Sequence, residues 1–273
     1  MQRINKDGVI FYRFERLAGQ PGVDHALFTR RGGVSELPFA TLNVGHTVGD
    51  DLGAVRINHQ RALAALGWRR EEVATCYQVH SARVGVVGPD DRGQVRPATD
   101  ALVTADPGVV LMLRFADCAP VLFYDRRRRA IGLAHAGWRG VSAGVVPSTV
   151  ATLVQAFGCR PAELWAGIGP SIGPCCYEVG QEVVEQVSAA VNGRDPFRWE
   201  NGRAHLDLWA AVEGQLEEAG VGQVEVAELC TACHTDDWFS HRAEGGKTGR
   251  FGVVMGLEKQ AQAIARWDWT NMV

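Results

Sequence analysis

The sequence lacks the features by which nucleic-acid-binding and membrane proteins are usually recognised. Its 273 residues carry 28 Lys and Arg against 31 Asp and Glu, a net charge of −3, so no basic excess favours a nucleic-acid partner. The longest basic run, Arg126 to Arg129, follows Asp125 between two apolar segments and is typical of a solvated hairpin turn. No uncharged apolar stretch approaches the roughly 18 residues of a membrane-spanning helix. We therefore expect neither nucleic acid nor a membrane as a partner.

The N-terminal residues also lack the apolar run of a secretory signal peptide. This absence predicts a cytoplasmic protein, in which the seven cysteines stay reduced. Reduced cysteines are interpreted first as metal ligands, nucleophiles or core residues, and only then as disulfide partners.

Repeats, low-complexity tracts and long linkers are missing as well, which predicts one continuous domain over residues 1–273. Consecutive strands without a strict strand–helix–strand alternation favour an α+β fold of mixed sheets with outer helices. Strands are predicted at 10–14, 26–29, 73–79, 84–87, 109–115, 121–124, 130–135, 164–167, 224–229 and 251–257. Helices are predicted at about 51–66, from a cap at Ser142 to Gly158, at 181–190 and at 207–219.

Three potential metal ligands stand near the ends of predicted strands. His80 and His135 each end a strand, and Cys118 lies in the sharp break after another. Two His and one Cys form a known catalytic zinc set that leaves a fourth position for water. Zinc lowers the pKa of such a water to about 7. Their spacing matches no compact metal motif, so a hydrogen-bonded structural histidine and a buried core cysteine remain alternatives.

The neighbours of these residues add two further hypotheses. Asp117, beside Cys118, is either a carboxylate that orients a ligand or a surface turn residue. Gly137-Trp-Arg-Gly precedes a predicted helix, and its free N–H groups together with Arg139 suit a phosphate or another anion. A structural ion pair is the alternative for Arg139.

The other cysteines give weaker signals. Cys230-Thr-Ala-Cys-His matches a haem-attachment pattern, which we reject because covalent attachment needs export machinery. Cys230 and Cys233 could serve a zinc or redox role, but no second C-x-x-C completes a closed site. Cys175 and Cys176 follow a Gly/Pro loop, where one of them could line a pocket.

Several longer segments carry a family resemblance, and the most specific are Ala116-Asp-Cys-Ala-Pro-Val-Leu, Ala134-His-Ala-Gly-Trp-Arg-Gly and Gly167-Ile-Gly-Pro-Ser-Ile-Gly-Pro-Cys-Cys-Tyr-Glu-Val-Gly. They resemble the multicopper polyphenol oxidoreductase, or laccase-domain, family. Its members are also called peptidoglycan editing factors and purine nucleoside phosphorylases. Shorter matches, among them Gln78-Val-His-Ser and Phe239-Ser-His-Arg, extend the resemblance over about residues 26–257.

The resemblance implies a single α/β/β/α sandwich and a zinc ion bound by His80, Cys118 and His135, which would also be the catalytic residues. It implies phosphorolysis of adenosine, inosine and methylthioadenosine, with adenosine deamination as a second activity. On this basis Arg139 and Arg30 are predicted to hold phosphate and Asn43 to contact the base or ribose. The substrates would be a small-molecule nucleoside and phosphate. His241 and the loop at 232–237 depart from the usual pattern and put substrate preference in doubt.

Three other functions stay open at this point. A hydrolase that edits cell-wall precursors could use the same zinc water, or Cys118 as nucleophile. A copper-dependent polyphenol oxidase is disfavoured, because eight histidines without a His-x-His pair do not supply a multicopper centre. Copper could still bind the His/Cys set in vitro, since it outcompetes zinc at most nitrogen and sulfur sites. A binding protein without activity is disfavoured by the open metal position.

Overall fold

Strands that are apolar on both faces dominate the chain, and two large sheets stacked on each other are what buries both faces. The computed structural model describes residues 1–258, in which sixteen strands and six α-helices occur. The strands are β1 (Gln2–Lys6), β2 (Val9–Arg13), β3 (Val23–Phe28), β4 (Val73–Cys76), β5 (Val84–Val86), β6 (Val95–Arg96), β7 (Ala101–Thr104), β8 (Val110–Phe115), β9 (Ala119–Asp125), β10 (Ala130–Ala136), β11 (Trp165–Ile168), β12 (Glu178–Val179), β13 (Phe197–Glu200), β14 (Arg203–Leu206), β15 (Gln223–Val226) and β16 (Phe251–Leu257). The helices are α1 (Glu15–Ala18), α2 (Leu52–Ala64), α3 (Trp138–Ser142), α4 (Val145–Phe157), α5 (Gln181–Ser188) and α6 (Leu208–Glu218).

Both large sheets are mixed. The seven-stranded sheet has the order β1-β2-β3-β16-β8-β4-β6, antiparallel from β1 to β8 and parallel over β8, β4 and β6. The six-stranded sheet has the order β15-β11-β9-β10-β7-β5, with parallel pairs at both edges. A small third sheet, β12-β14-β13, lies outside them. The mixed sheets of the predicted α+β fold are confirmed.

Alternate side chains of the central strands divide the core into three apolar layers. Leu111 of β8 packs between the sheets with Leu122 of β9, whereas Val121 of β9 faces the helix side together with Leu153 of α4. On the opposite face, Val110 and Met112 of β8 pack with the helix α2. The order is therefore α2, seven-stranded sheet, six-stranded sheet, and the helices α3 to α6. The predicted α/β/β/α sandwich is confirmed, and residues 259–273 of the predicted single domain lie outside the described residues.

The basic run lies in the turn of the β9–β10 hairpin, as predicted. Asp125 pairs with Ala130 across the hairpin, and its Oδ1 accepts hydrogen bonds from the backbone N–H groups of Arg127 and Arg128, both at 2.8 Å. The arginines thus mark a tight turn closed by a buried carboxylate. No helix among residues 1–258 combines the length and the apolar character that crossing a membrane requires.

The predicted helix from Ser142 to Gly158 is wrong at its start. Two helices occupy this stretch, and they are separated at Gly144, whose φ of 81° places it in the left-handed region. Ser142 is the last residue of α3, and its hydroxyl donates to the carbonyl of Trp138 at 2.9 Å instead of capping a helix. The predicted end is right, because Gly158 terminates α4 with a φ of 66°.

Candidate metal centre

The two sheets meet at an edge where several loops pass from one sheet to the other. The loop between β4 and β5 carries His80, and the loop between β8 and β9 carries Cys118. His135 lies one residue from the end of β10, opposite Pro120 of β9. The potential ligand atoms of His80, Cys118 and His135 all lie within 4.8 Å of one another. The loops that pass from one sheet to the other therefore bring together residues that are far apart in the sequence.

Asp100, which precedes β7, fixes two of the three groups. Its Oδ1 lies 3.0 Å from Nδ1 of His135 and accepts the backbone N–H of His80 at 2.9 Å. Its Oδ2 accepts the N–H and the hydroxyl of Ser81 at 2.7 and 2.8 Å. The Asp100 contact at Nδ1 leaves Nε2 of His135 available for a metal, an arrangement in which a carboxylate orients a ligating histidine.

Asp100 was missed as a functional residue in the sequence, although it lies within the range of the family resemblance, about residues 26–257. Its signal was weak because the carboxylate lies 20 residues from His80 and 35 from His135 along the chain. Burial alone would raise the pKa of Asp100, but hydrogen bonds from His135 and Ser81 hold it well below its usual range. The carboxylate is thus charged, and it balances positive charge next to the group.

The Cys118 sulfur and the His135 imidazole strongly shift each other's pKa. Burial alone would raise the pKa of Cys118, yet the charge and hydrogen bonds of His135 and His80 lower it to about 6. Burial alone would lower the pKa of His135, but the Cys118 thiolate and the Asp100 hydrogen bond raise it to about 9. The lowered pKa of Cys118 favours its thiolate, the form of cysteine that binds metals.

Space around the sulfur is limited by the backbone of Gly137, the residue that precedes α3. A Cβ placed on Gly137 would lie 2.6 Å from Sγ of Cys118 and 3.3 Å from Cδ2 of His80. The backbone φ of −84° is ordinary, so it is the proximity of Cys118 and His80, and not the backbone conformation, that requires glycine here. The close approach of the Gly137 backbone and the donor set of two histidines and one cysteine together fit a zinc ion with one open coordination position.

Asp117 clamps the loop that carries Cys118. Its side-chain oxygens accept hydrogen bonds from the hydroxyl of Thr231 and the backbone N–H of Arg242, both at 2.7 Å. Its carbonyl accepts the N–H of Ile172 at 2.9 Å, and its φ of 86° lies in the left-handed region. Two interpretations of Asp117 were left open, a carboxylate that orients a ligand and a surface turn residue. The structure favours the first, because the Asp117 carboxylate holds the loop in which Cys118, a candidate ligand, is the next residue.

On the solvent-exposed side, the His80, Cys118 and His135 group is bordered by a rim of cationic and aromatic side chains. His80 and Arg139 are exposed, and the guanidinium of Arg139 stacks 4.3 Å from the ring centre of Trp138. Arg242 stacks 5.1 Å from the ring centre of Tyr177. Burial first, and then the nearby charge of Cys118, raise the pKa of Tyr177, a residue that the sequence did not single out. A small anionic substrate would meet positive charge on this side.

The other two predicted substrate contacts are engaged within the protein. Arg30 donates to the carbonyls of Ala40 and Thr235 at 2.8 and 2.9 Å and pairs with Glu244 at 3.0 Å. The amide of the fully buried Asn43 donates to Asp50 at 2.7 Å and accepts the N–H groups of Gly45 and Arg250 at 2.8 Å each. In this arrangement both side chains hold loops together, and their predicted contacts with phosphate, base or ribose stay predictions.

Four further cysteines come together away from this group. Cys175 and Cys176 lie against Cys230 and Cys233, and the four sulfur atoms are all within 4.8 Å of one another. The sequence offers no second C-x-x-C beside Cys230 and Cys233, yet the fold brings two more sulfur atoms to this pair. An adjacent pair, which is no C-x-x-C motif, supplies the other two sulfurs.

Comparison with known proteins agrees with this architecture. A family model described as multi-copper polyphenol oxidoreductase laccase matches residues 24–258. The chain is 42% identical over 238 residues to a purine nucleoside phosphorylase from Deinococcus radiodurans, covering 87% of this chain and 90% of that protein. It is 38% identical over 251 residues to the purine nucleoside phosphorylase YlmD from Geobacillus stearothermophilus, covering 88% and 92%.

A solved structure is similar over the same range. The crystal structure of YlmD from Geobacillus stearothermophilus superposes with a TM-score of 0.87 at 36% identity, over 92% of this chain and 97% of that one. With its sheets, crossover loops and His/Cys group in place, and with these matches over most of its length, the chain belongs to the multi-copper polyphenol oxidoreductase laccase family.

Proposed function

We propose that this protein is a zinc-dependent purine nucleoside phosphorylase for adenosine, inosine and methylthioadenosine, with adenosine deamination as a second activity. The observation that carries the proposal is the convergence of His80, Cys118 and His135 beside an exposed cationic rim. Relatives named purine nucleoside phosphorylase, at 38% and 42% identity, support the substrate class.

His80, Cys118 and His135 would hold the zinc ion as metal ligands. Zinc bound there would supply a Lewis acid that polarises a substrate atom and acidifies water at its open position. Asp100 keeps Nδ1 of His135 occupied and fixes the His80 turn, so that both imidazoles stay aimed at one point. Pre-orientation of this kind lowers the reorganisation needed when charge develops in the reaction.

Arg139 is the proposed phosphate-binding residue, because it is exposed beside the group and fixed against Trp138. A guanidinium forks onto two oxygens of a phosphate and holds it for attack at the anomeric carbon. Arg242, stacked on Tyr177, adds a second positive charge on this side, while the Tyr177 ring offers an apolar face to a purine. Binding by Arg30 or Asn43 would require their present hydrogen bonds to open.

A copper oxidase has less support. All eight histidines lie within residues 1–258, and only His80 and His135 belong to a potential metal-binding group there. Multicopper oxidation needs a histidine-rich cluster in addition to an electron-transfer copper, and these residues do not form one.

Product analysis on zinc-loaded protein with adenosine, with and without phosphate, tests the proposal. Adenine that appears only with phosphate is the expected sign of phosphorolysis, and inosine in either case is the sign of deamination. His80→Ala and His135→Ala should abolish both, while His46→Gln, a histidine outside the group, should retain them. If the zinc-loaded protein forms neither product, the proposal is wrong, and release of L-serine from a mis-charged muramyl nucleotide would instead support cell-wall editing.

A further inference from the structure

Cys175, Cys176, Cys230 and Cys233 form a second group of potential metal ligands in this protein. We propose that these four cysteines bind one zinc ion in a closed tetrathiolate site that is structural and separate from the catalytic group. Four thiolates fill the tetrahedral shell of zinc and leave no position for water or substrate. The proposal therefore goes beyond the proposed function and does not depend on it.

The fold brings the two cysteine pairs together through neighbouring strands. β11 and β15 are parallel partners in the six-stranded sheet, so the loops that leave their carboxyl ends emerge side by side. Ser171 forms an isolated parallel bridge with Cys230: its N–H donates to the carbonyl of Leu229 at 3.2 Å and its carbonyl accepts the N–H of Thr231 at 3.0 Å. Backbone pairing thus fixes one loop against the other before any metal binds.

The sulfur spacing favours a shared metal over a disulfide. Cys233 lies 3.5 Å from Cys175 and 3.4 Å from Cys176, measured between Sγ atoms, so it has two equivalent neighbours and no preferred single partner. Zinc–sulfur bonds of about 2.3 Å in a tetrahedron place the sulfur atoms about 3.8 Å apart. The backbone N–H of Gly173 donates to Sγ of Cys230 at 3.2 Å, a contact that stabilises negative charge on a ligating sulfur.

Burial also suits a structural ion near the surface. Cys230 is 5% exposed and anchors the cluster in the core, whereas Cys175 and Cys233 are exposed and give a metal access from solvent. All-sulfur tetrahedral sites select zinc or iron among the divalent metals, and the hard cations calcium and magnesium prefer oxygen ligands.

The site would support the catalytic centre through Thr231. Thr231 lies between Cys230 and Cys233, and its buried hydroxyl donates to Asp117 next to Cys118 at 2.7 Å. A metal that fixes this loop would also fix the carboxylate clamp of the Cys118 loop. Loss of the cysteine site should therefore loosen the first site, formed by His80, Cys118 and His135, without removing any of these three residues.

Zinc content per chain is the first measurement, by mass spectrometry after a weak chelator removes loosely held metal. We expect two zinc ions in the native protein and one each in Cys175→Ser/Cys233→Ser and in His80→Ala/His135→Ala. Cys159→Ala, which removes a buried cysteine outside both groups, should retain two. Failure of the proposed function is read separately, from the nucleoside products of the native protein.

Cobalt(II) substitution gives a readout independent of activity. Thiolate-to-cobalt absorption should fall strongly in the double cysteine variant and weakly in the double histidine variant. The cysteine cluster has four sulfur atoms, whereas the His80, Cys118 and His135 group has a single sulfur atom. Cys233→His should restore a second metal as a Cys₃His site, which separates loss of a ligand from misfolding. A double cysteine variant that holds as much zinc as the native protein would overturn the proposal, as would a disulfide among these cysteines in the freshly reduced protein.

Discussion

Asp100 shows how a single buried residue organises the candidate metal centre. One carboxylate holds the His80 turn by its backbone and His135 by its ring, and it is fully buried while doing so. Removing its charge would leave the three candidate ligands, His80, Cys118 and His135, in place but free their orientation. Its role is that of a positioning residue.

Asp100→Asn is expected to weaken zinc binding at the first site by about 10–100-fold, the usual effect of losing the partner of a ligating histidine. Chelator competition monitored by zinc release measures this change. Asp125→Asn is the matched control, because Asp125 is also a buried carboxylate that accepts backbone N–H groups but lies in the β9–β10 turn. Equal losses of zinc affinity in both variants would contradict the positioning role.

Gly137 gives a second test at the residue scale. The Cβ of Gly137→Ala would meet Sγ of Cys118 at 2.6 Å, so the sulfur or α3 must shift, and we expect loss of first-site zinc and of nucleoside turnover. Gly180 offers a close match, since it also precedes a helix, its φ and ψ are −81° and 168° against −84° and 172°, and its Cβ would meet nothing within 4 Å. Gly180→Ala should therefore retain the metal, and zinc content of the two variants decides the point.

At the scale of elements, α4 illustrates how the outer helices are held. Leu153 is fully buried against the six-stranded sheet, whereas its neighbour Val154 is 37% exposed. The helix has glycines at both ends and no side-chain cap, so packing contributes most of its stability.

Leu153→Ala should lower the free energy of unfolding by about 2–5 kcal/mol, the range for a leucine whose removal leaves a cavity. Val154→Ala should change it by less than about 1 kcal/mol, because little apolar surface is lost and alanine favours a helix. Urea unfolding of the two variants gives both values. Similar destabilisation by both would mean that α4 does not pack as described.

At the scale of the whole molecule, two buried histidines set a limit on acid stability. Burial first lowers the pKa of His25 and of His59 to about 3 in each case. Nε2 of His25 accepts the backbone N–H of Phe14 at 2.9 Å, which only a neutral imidazole can do. The unfolded chain therefore takes up a proton at these positions near pH 6.5, before the folded chain does.

The sign of the effect follows from that order of protonation. The contribution of each histidine is complete above pH 6.5 and is lost as the pH falls towards 3, by up to about 1.4 kcal/mol per pH unit. Urea unfolding at pH 7 and pH 5 should show a smaller loss of stability for His25→Gln than for the native protein. His241→Gln, which changes an exposed histidine, should keep the native loss. If His25→Gln loses as much stability between pH 7 and pH 5 as the native protein does, His25 is not a source of the acid sensitivity.

Local patterns in the sequence determined most of the elements near the centre. The apolar runs that became β8, β10 and β16 end within a residue of the predicted limits, since their side chains face the core on both sides. Asp51 and Asp207 cap α2 and α6 as their types suggest. The short, polar strands β12 to β14 had no such pattern, and the glycine break between α3 and α4 was hidden in one apolar run.

The sequence by itself determined the kinds of residue available for chemistry, and with the family resemblance it singled out His80, Cys118 and His135. Only the tertiary structure decided which of these and other groups meet. Asp100, the Thr231–Asp117 clamp and the four-cysteine cluster depend on two sheets whose crossover loops meet at one edge and on β11 lying parallel to β15. Contacts between residues so far apart in the chain leave no local periodicity, so pattern alone could not reveal them.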